Sequence, residues 1–137
     1  MISPTYQTNM NRIEEIAQAK VIKWSHRKAI RDQLPALRWL YHTPNGGLRN
    51  AVVAMQMVAL GVKKGVPDLI LPVAMSCFTG LVIEMKSDTG TTFKEQAEWM
   101  EHYKAQGWSV KLCRSAEEAH QVLCKYLGAD PAAVALE

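Results

Sequence analysis

Glu84-Met85-Lys86 sets an acid and an amine two positions apart, and Asp68 precedes them. In a strand alternate side chains share a face. Glu84 and Lys86 then point the same way as Val82, while Leu81, Ile83 and Met85 point the other way. A hairpin turning near residue 76 brings Asp68 roughly opposite Glu84. Directly opposed residues have Cβ atoms about 4.5–5.5 Å apart. Two carboxylates that close repel, and one takes up a proton unless a cation sits between them. A divalent cation with oxygen ligands resolves the conflict. A plainer reading also fits: Asp68, after Pro67, as a strand-start turn residue, and Glu84 with Lys86 as a solvated edge pair.

Two more polar residues fall where apolar ones are expected. In a helix over 92–106, Phe93, Ala97, Met100 and Tyr103 form one arc, and Gln96 lies inside it. A buried amide without partners costs about 1–3 kcal/mol. Gln96 therefore either bonds a loop carbonyl or reaches a polar site at the sheet end. In a helix over 11–25, Ile13, Ile16, Ala17, Val21 and Trp24 share an arc, with Glu14 at its edge and Glu15 nearly opposite. A carboxylate that this helix turns inward is Glu14.

The chain that must position these groups has 137 residues, enough for one domain with a core of its own. Apolar residues make up 48% and charged residues 21%, which excludes disordered and collagen-like chains. No apolar run is long enough to span a membrane. The N-terminus has no basic start followed by an apolar stretch, so no secretory signal is expected. Cys77, Cys113 and Cys124 form neither a disulfide framework nor a zinc spacing, which points to a reducing, cytoplasmic compartment. The net charge of +3 permits a nucleic-acid partner without requiring one. Basic residues crowd 20–38, and acidic ones dominate the second half.

Punctuation by Gly, Pro and caps gives the elements. Residues 1–9 read as a loose leader, 11–25 as a helix, 26–36 as a loop around Pro35, and 37–42 as a strand ended by Thr43-Pro44-Asn45-Gly46-Gly47. Residues 49–60 read as a helix that is apolar nearly all round. Such a helix must be covered on more than one side, either centrally in the fold or by a second copy of the chain. Strands follow at 67–73 and 80–86. A capping box at Thr92-Phe93-Lys94-Glu95 opens the helix to 106, and a strand follows at 108–113. A second box at Ser115-Ala116-Glu117-Glu118 opens a helix to Leu127, stopped by Gly128. Residues 129–137 are expected to fray. Trp39, Tyr41, Trp99 and Trp108 read as core or interface, and His42 as a structural histidine. The order α-β-α-β-β-α-β-α describes a single α/β domain, a mixed central β-sheet flanked by helices.

Pro67-Asp68 followed by Glu84-x-Lys86 resembles the PD-(D/E)xK nuclease superfamily. More narrowly, the chain is similar to VRR-NUC domains of the phage and bacterial type. The resemblance rests on Glu14-x3-Gln18-x2-Val21-x2-Trp24, Thr43-Pro44-Asn45-Gly46-Gly47-x-Arg49, Gly61-Val62-x2-Gly65-Val66-Pro67-Asp68-Leu69, Ile83-Glu84-x-Lys86, Gln96-x2-Trp99 and Gly107-Trp108-x-Val110. It runs from about residue 11 to 127. It implies a restriction-endonuclease-like fold and a Mg²⁺- or Mn²⁺-dependent phosphodiesterase. Asp68, Glu84 and the backbone carbonyl of Met85 would bind metal, and Glu14 would bind or support it through water. Lys86 would orient the attacking water or stabilise developing negative charge, and Gln96 would position Lys86 or the water. Asn45, Gly46, Gly47 and Arg49 suit a phosphate but equally suit a plain turn, and Lys63-Lys64 suit either a DNA backbone or a solvated loop.

The expected activity is a structure-selective DNA endonuclease, foremost a Holliday junction resolvase on branched DNA, working as a homodimer in a bacterial or phage-host cytoplasm. A flap or nicking nuclease with the same site, or an inactive DNA-binding module, is the alternative.

Overall fold

The computed structural model describes residues 4–44 and 51–137. Four strands form one sheet in the order β1 (Tyr41–His42), β2 (Leu69–Leu71), β3 (Leu81–Met85) and β4 (Ser109–Cys113). The first two pairings are antiparallel and β3–β4 is parallel. The described residues also form five helices: α1 (Pro4–His26), α2 (Lys28–Gln33), α3 (Ala51–Ala59), α4 (Lys94–Ala105) and α5 (Ala116–Leu127), of which α1, α4 and α5 pack on the sheet. The sheet is mixed because the β2–β3 connection is a short hairpin, closed by a Met75–Phe78 bridge, whereas β3 to β4 requires the α4 crossover.

β3 is buried along its whole length, as its unbroken Leu81-Val82-Ile83 run requires. Its odd residues, Leu81, Ile83 and Met85, join Val21 and Trp24 of α1 and Ala119, Leu123 and Cys124 of α5 in one apolar core. Its even residues therefore belong to the opposite face, where α4 begins. α5 is fixed at both ends. Ser115 Oγ accepts the Glu118 N–H at 3.1 Å, and Gly128 takes the left-handed conformation at φ 72° that closes the helix.

Several expectations are corrected. Residues 26–36 are not a loop: α2 is followed by a 3-10 turn over Pro35–Trp39, which shortens the expected 37–42 strand to Tyr41–His42. Trp39 and Tyr41 consequently lie about half exposed rather than in the core. Helix α1 starts within the expected leader. Only part of its arc is covered: Val21 and Trp24 are buried, while Ile13 and Ile16 are mostly exposed and line an open groove of about 550 Å³ against Ser87 and Arg114. α4 starts at Lys94 after the Phe93 cap, not at Thr92, and its buried residue is Gln96, with Phe93 and Ala97 exposed. The C-terminal tail does not fray. Val134 is buried, and its carbonyl accepts from Trp24 Nε1 at 2.8 Å and pairs with His120 Nε2 at 2.9 Å. Arg27 donates to the Ala135 carbonyl.

α3 decides between its two expected places within the chain. It is not central in the fold: none of its residues is buried, with Met55 72% and Val58 69% exposed. Among the described residues, no helix is long and apolar enough to cross a membrane.

Candidate active site

The β2–β3 register pairs Leu69 with Ile83, so Asp68 and Glu84 continue it as an opposed pair just past the end of β2. Asp68 is tied on two sides. Its Oδ2 accepts the Met85 N–H at 2.8 Å. Its carbonyl accepts the Thr43 N–H at 3.2 Å and Nδ1 of His42 at 2.8 Å. Thr43 Oγ1 also donates to the Pro67 carbonyl at 2.6 Å. The short β1 thus serves as a clamp that fixes the acid-bearing turn, and His42 is structural.

Glu84 is 2% exposed. Its Oε1 accepts from Gln96 Nε2 at 3.0 Å, while Oε2 is buried with no hydrogen-bond partner. Burial first, and then the Asp68 carboxylate beside it, push the Glu84 carboxyl up to about 9, with the Lys86 ammonium opposing. Without a cation, Glu84 therefore keeps a proton at neutral pH. Glu14 reaches the end of β3 from α1, and its Oε1 accepts the Ser87 N–H at 3.1 Å. Burial raises its pKa, while the Ser87 hydrogen bond and Lys86 oppose that rise.

Lys86 is buried and follows Glu84 on the same strand face. Its Nζ lies 5.3 Å from the centroid of the Phe93 ring. Gln96 satisfies both sharp and plain expectations at once: its Oε1 accepts the Phe93 N–H at 3.1 Å, capping α4, and its Nε2 bonds Glu84. Its contact is with the acid rather than with Lys86. The fold thus brings Glu14, Asp68, Glu84, Met85, Lys86 and Gln96 together at one end of the sheet. Lys63 and Lys64 are exposed on the preceding loop. Asn45, Gly46, Gly47 and Arg49 lie outside the described residues.

Three contributors escape the sequence reading. Ser87 supplies the amide that holds Glu14. Arg114 binds the carbonyls of Ser87 and Gly90, each at 2.8 Å, and so pins the segment after β3. Phe93 lies against Lys86. Each acts through a contact that the fold sets.

The donor set fits a divalent cation. An orphaned, buried carboxylate oxygen faces a second carboxylate, and hard oxygen donors are what Mg²⁺ or Mn²⁺ takes. Among the described residues, no group of three or more His, Cys, Asp or Glu side chains is placed to hold a metal ion. A Mg²⁺ site keeps several waters and takes only one or two carboxylates, the number that Asp68 and Glu84 offer here.

Family models match residues 8–117 to the VRR-NUC domain. Among solved structures, one described as a VRR_NUC domain protein superposes with a TM-score of 0.68. It has 27% sequence identity to this chain and the match covers 84% of this chain and 88% of that one. Curated proteins give no match. With the acid pair, the lysine and this match over most of its length, the chain belongs to the VRR-NUC domain family of the PD-(D/E)xK nuclease superfamily.

Proposed function

We propose that the chain is a Mg²⁺- or Mn²⁺-dependent, structure-selective DNA endonuclease: a Holliday junction resolvase acting as a homodimer. The observation that carries the reading is the buried Glu84 carboxylate, set against Asp68 with one oxygen unpartnered and an ammonium two residues on. Asp68, Glu84 and the Met85 carbonyl would hold the ion, with Glu14 supporting it through water. When bound, the ion supplies Lewis acidity toward the phosphoryl oxygens.

The chain's own groups do the rest. Phosphodiester hydrolysis is among the slowest uncatalysed reactions, and its charge builds on the phosphoryl and leaving oxygens. Lys86 brings a positive charge on the acid-bearing face to orient the attacking water or to meet that developing charge. Gln96 bonds one Glu84 oxygen, and the other is buried without a hydrogen-bond partner beside Asp68. The Ser87 amide holds Glu14 at the site's margin. Lys63 and Lys64, exposed just before Asp68, would take backbone phosphates, with Asn45, Gly46, Gly47 and Arg49 as further contacts.

The homodimer reading rests on α3. Residues 51–62 carry no charge, which disfavours DNA as their cover. A twofold contact must be self-complementary, and a neutral apolar helix meets that condition against its own copy. Val52, Met55 and Val58 of α3, and Leu60 just after it, are each well over half exposed.

The test is cleavage of labelled four-way junction, flap and linear duplex with Mg²⁺, Mn²⁺ or EDTA, beside Lys86→Ala. Paired symmetric cuts in the junction, lost with EDTA and in the variant, support the reading. Cutting of flaps or linear duplex instead assigns the same site to a flap or nicking nuclease. Metal-independent binding without any cut reduces the domain to a DNA-binding module.

A further inference from the structure

Phe93 stands at the N-cap position of α4, yet the residue is 41% exposed, so burial gives its ring little reason to be there. Two ammonium groups approach that one ring: Lys86 Nζ at 5.3 Å and Lys64 Nζ at 5.2 Å from its centroid. Both distances lie within the range of a cation–π contact, about 6 Å. Lys86 makes no ion pair with any described residue.

The backbones that carry the ring and Lys64 are each held in place. The Phe93 backbone N–H donates to Gln96, whose other end donates to Glu84, so one amide links the Phe93 backbone to the acid. The loop carrying Lys64 is held against α4 as well. Trp99 Nε1 donates to the Lys64 carbonyl at 3.2 Å. Gly65, at φ 89°, lies so close to the helix that a Cβ would stand 2.7 Å from the Glu95 carbonyl carbon.

We propose that Phe93 is a positioning residue: its ring is a shared platform that holds the Lys86 ammonium at the acid site and gathers Lys64 to the same phosphate-facing edge. The proposal rests on the nuclease reading for its consequence and on the ring contacts for its geometry. The ligand that two gathered ammonium groups recognise is the phosphodiester backbone on either side of the scissile bond. The ring's negative face offsets the repulsion between them before the substrate arrives.

The test compares Phe93→Leu, Phe93→Tyr and Phe93→Trp. Leucine keeps apolar bulk and removes the π face, and the half-exposed position lets each variant fold. On whichever DNA substrate the wild type cuts, Phe93→Leu is expected to lower kcat about 2- to 30-fold through Lys86 and to raise KM through Lys64, and Tyr and Trp to restore both. A purely structural role would make kcat follow thermal stability across the series instead. Wild-type kcat in Phe93→Leu, or equal loss in Tyr and Trp, overturns the proposal.

A second readout needs no activity. In ¹³C-lysine-labelled protein, the ε-methylene resonances of Lys86 and Lys64 should be displaced by the ring current and return toward free lysine in Phe93→Leu. Undisplaced resonances in the wild type overturn the platform. If the wild type cuts no DNA, the nuclease reading falls, and these resonances still decide the platform.

Discussion

Replacing Glu84 with Gln should make the metal-free protein more stable at neutral and alkaline pH. The Glu84 carboxyl titrates at about 9 in the fold, against an ordinary value of 4.5, because burial and Asp68 disfavour its charge. Between those values the folded state holds a proton that the unfolded chain has released. The stability associated with that proton is fully present below pH 4.5 and is lost progressively as pH rises toward 9. The limiting slope for one proton is about 1.4 kcal/mol per pH unit, so pH 6 to 8 removes up to about 3 kcal/mol. For a domain of this length that corresponds to roughly 8–13 °C in Tm. The amide in Glu84→Gln keeps an oxygen for Gln96 and can donate to Asp68, so packing is retained while this titration disappears. The assay is thermal and urea unfolding of both proteins in EDTA across pH 5–9. The wild-type curve should fall away from the variant as pH rises, and Mg²⁺ or Mn²⁺ should restore the wild type alone. Parallel curves for the two proteins would refute the reasoning, because Glu84 would then be neither desolvated nor crowded by Asp68.

Further outcomes follow from other contacts. Gln96→Leu strands the Glu84 Oε1 acceptor and the Phe93 N–H, so urea unfolding should show a loss of about 1–3 kcal/mol, together with lower kcat. Trp24→Phe removes the bond to the Val134 carbonyl and part of a fully buried ring, costing about 1–3 kcal/mol. Limited proteolysis should then cut residues 131–137 earlier than in the wild type. Val58→Glu, at a position 69% exposed, should keep the monomer fold. It should convert a dimer to monomer in sedimentation equilibrium and turn paired junction cuts into single nicks; an unchanged mass would exclude α3 as the contact.

What was legible in the sequence follows from what is local. The period-two pattern of residues 81–86 and the hairpin turn near 76 put Asp68 opposite Glu84, and the observed register does the same. The Ser115 cap and the Gly128 stop located α5 within a residue. The wheel of α1 separated Glu14 from Glu15 but could not say how far the covering layer extends, so Ile13 and Ile16 were placed in a core that stops at Ala17. Around Pro35 no period survives long enough to distinguish a loop from α2 and a 3-10 turn. The tail read as frayed because its anchors, Trp24, Arg27 and His120, are more than ten residues away in sequence. Phe93, Ser87 and Arg114 were missed for the same reason: their partners are set by the fold.

The most direct test of the central claim is calorimetric titration of Mn²⁺ into the wild type and Asp68→Asn at pH 7.5, in two buffers of different ionisation enthalpy. A cation that replaces the proton on Glu84 must displace it, so the wild type should bind with release of about one proton per ion, and Asp68→Asn should bind far more weakly. Absence of binding, or equal binding by both proteins with no proton released, would contradict the assignment of these acids to a metal-dependent nuclease site.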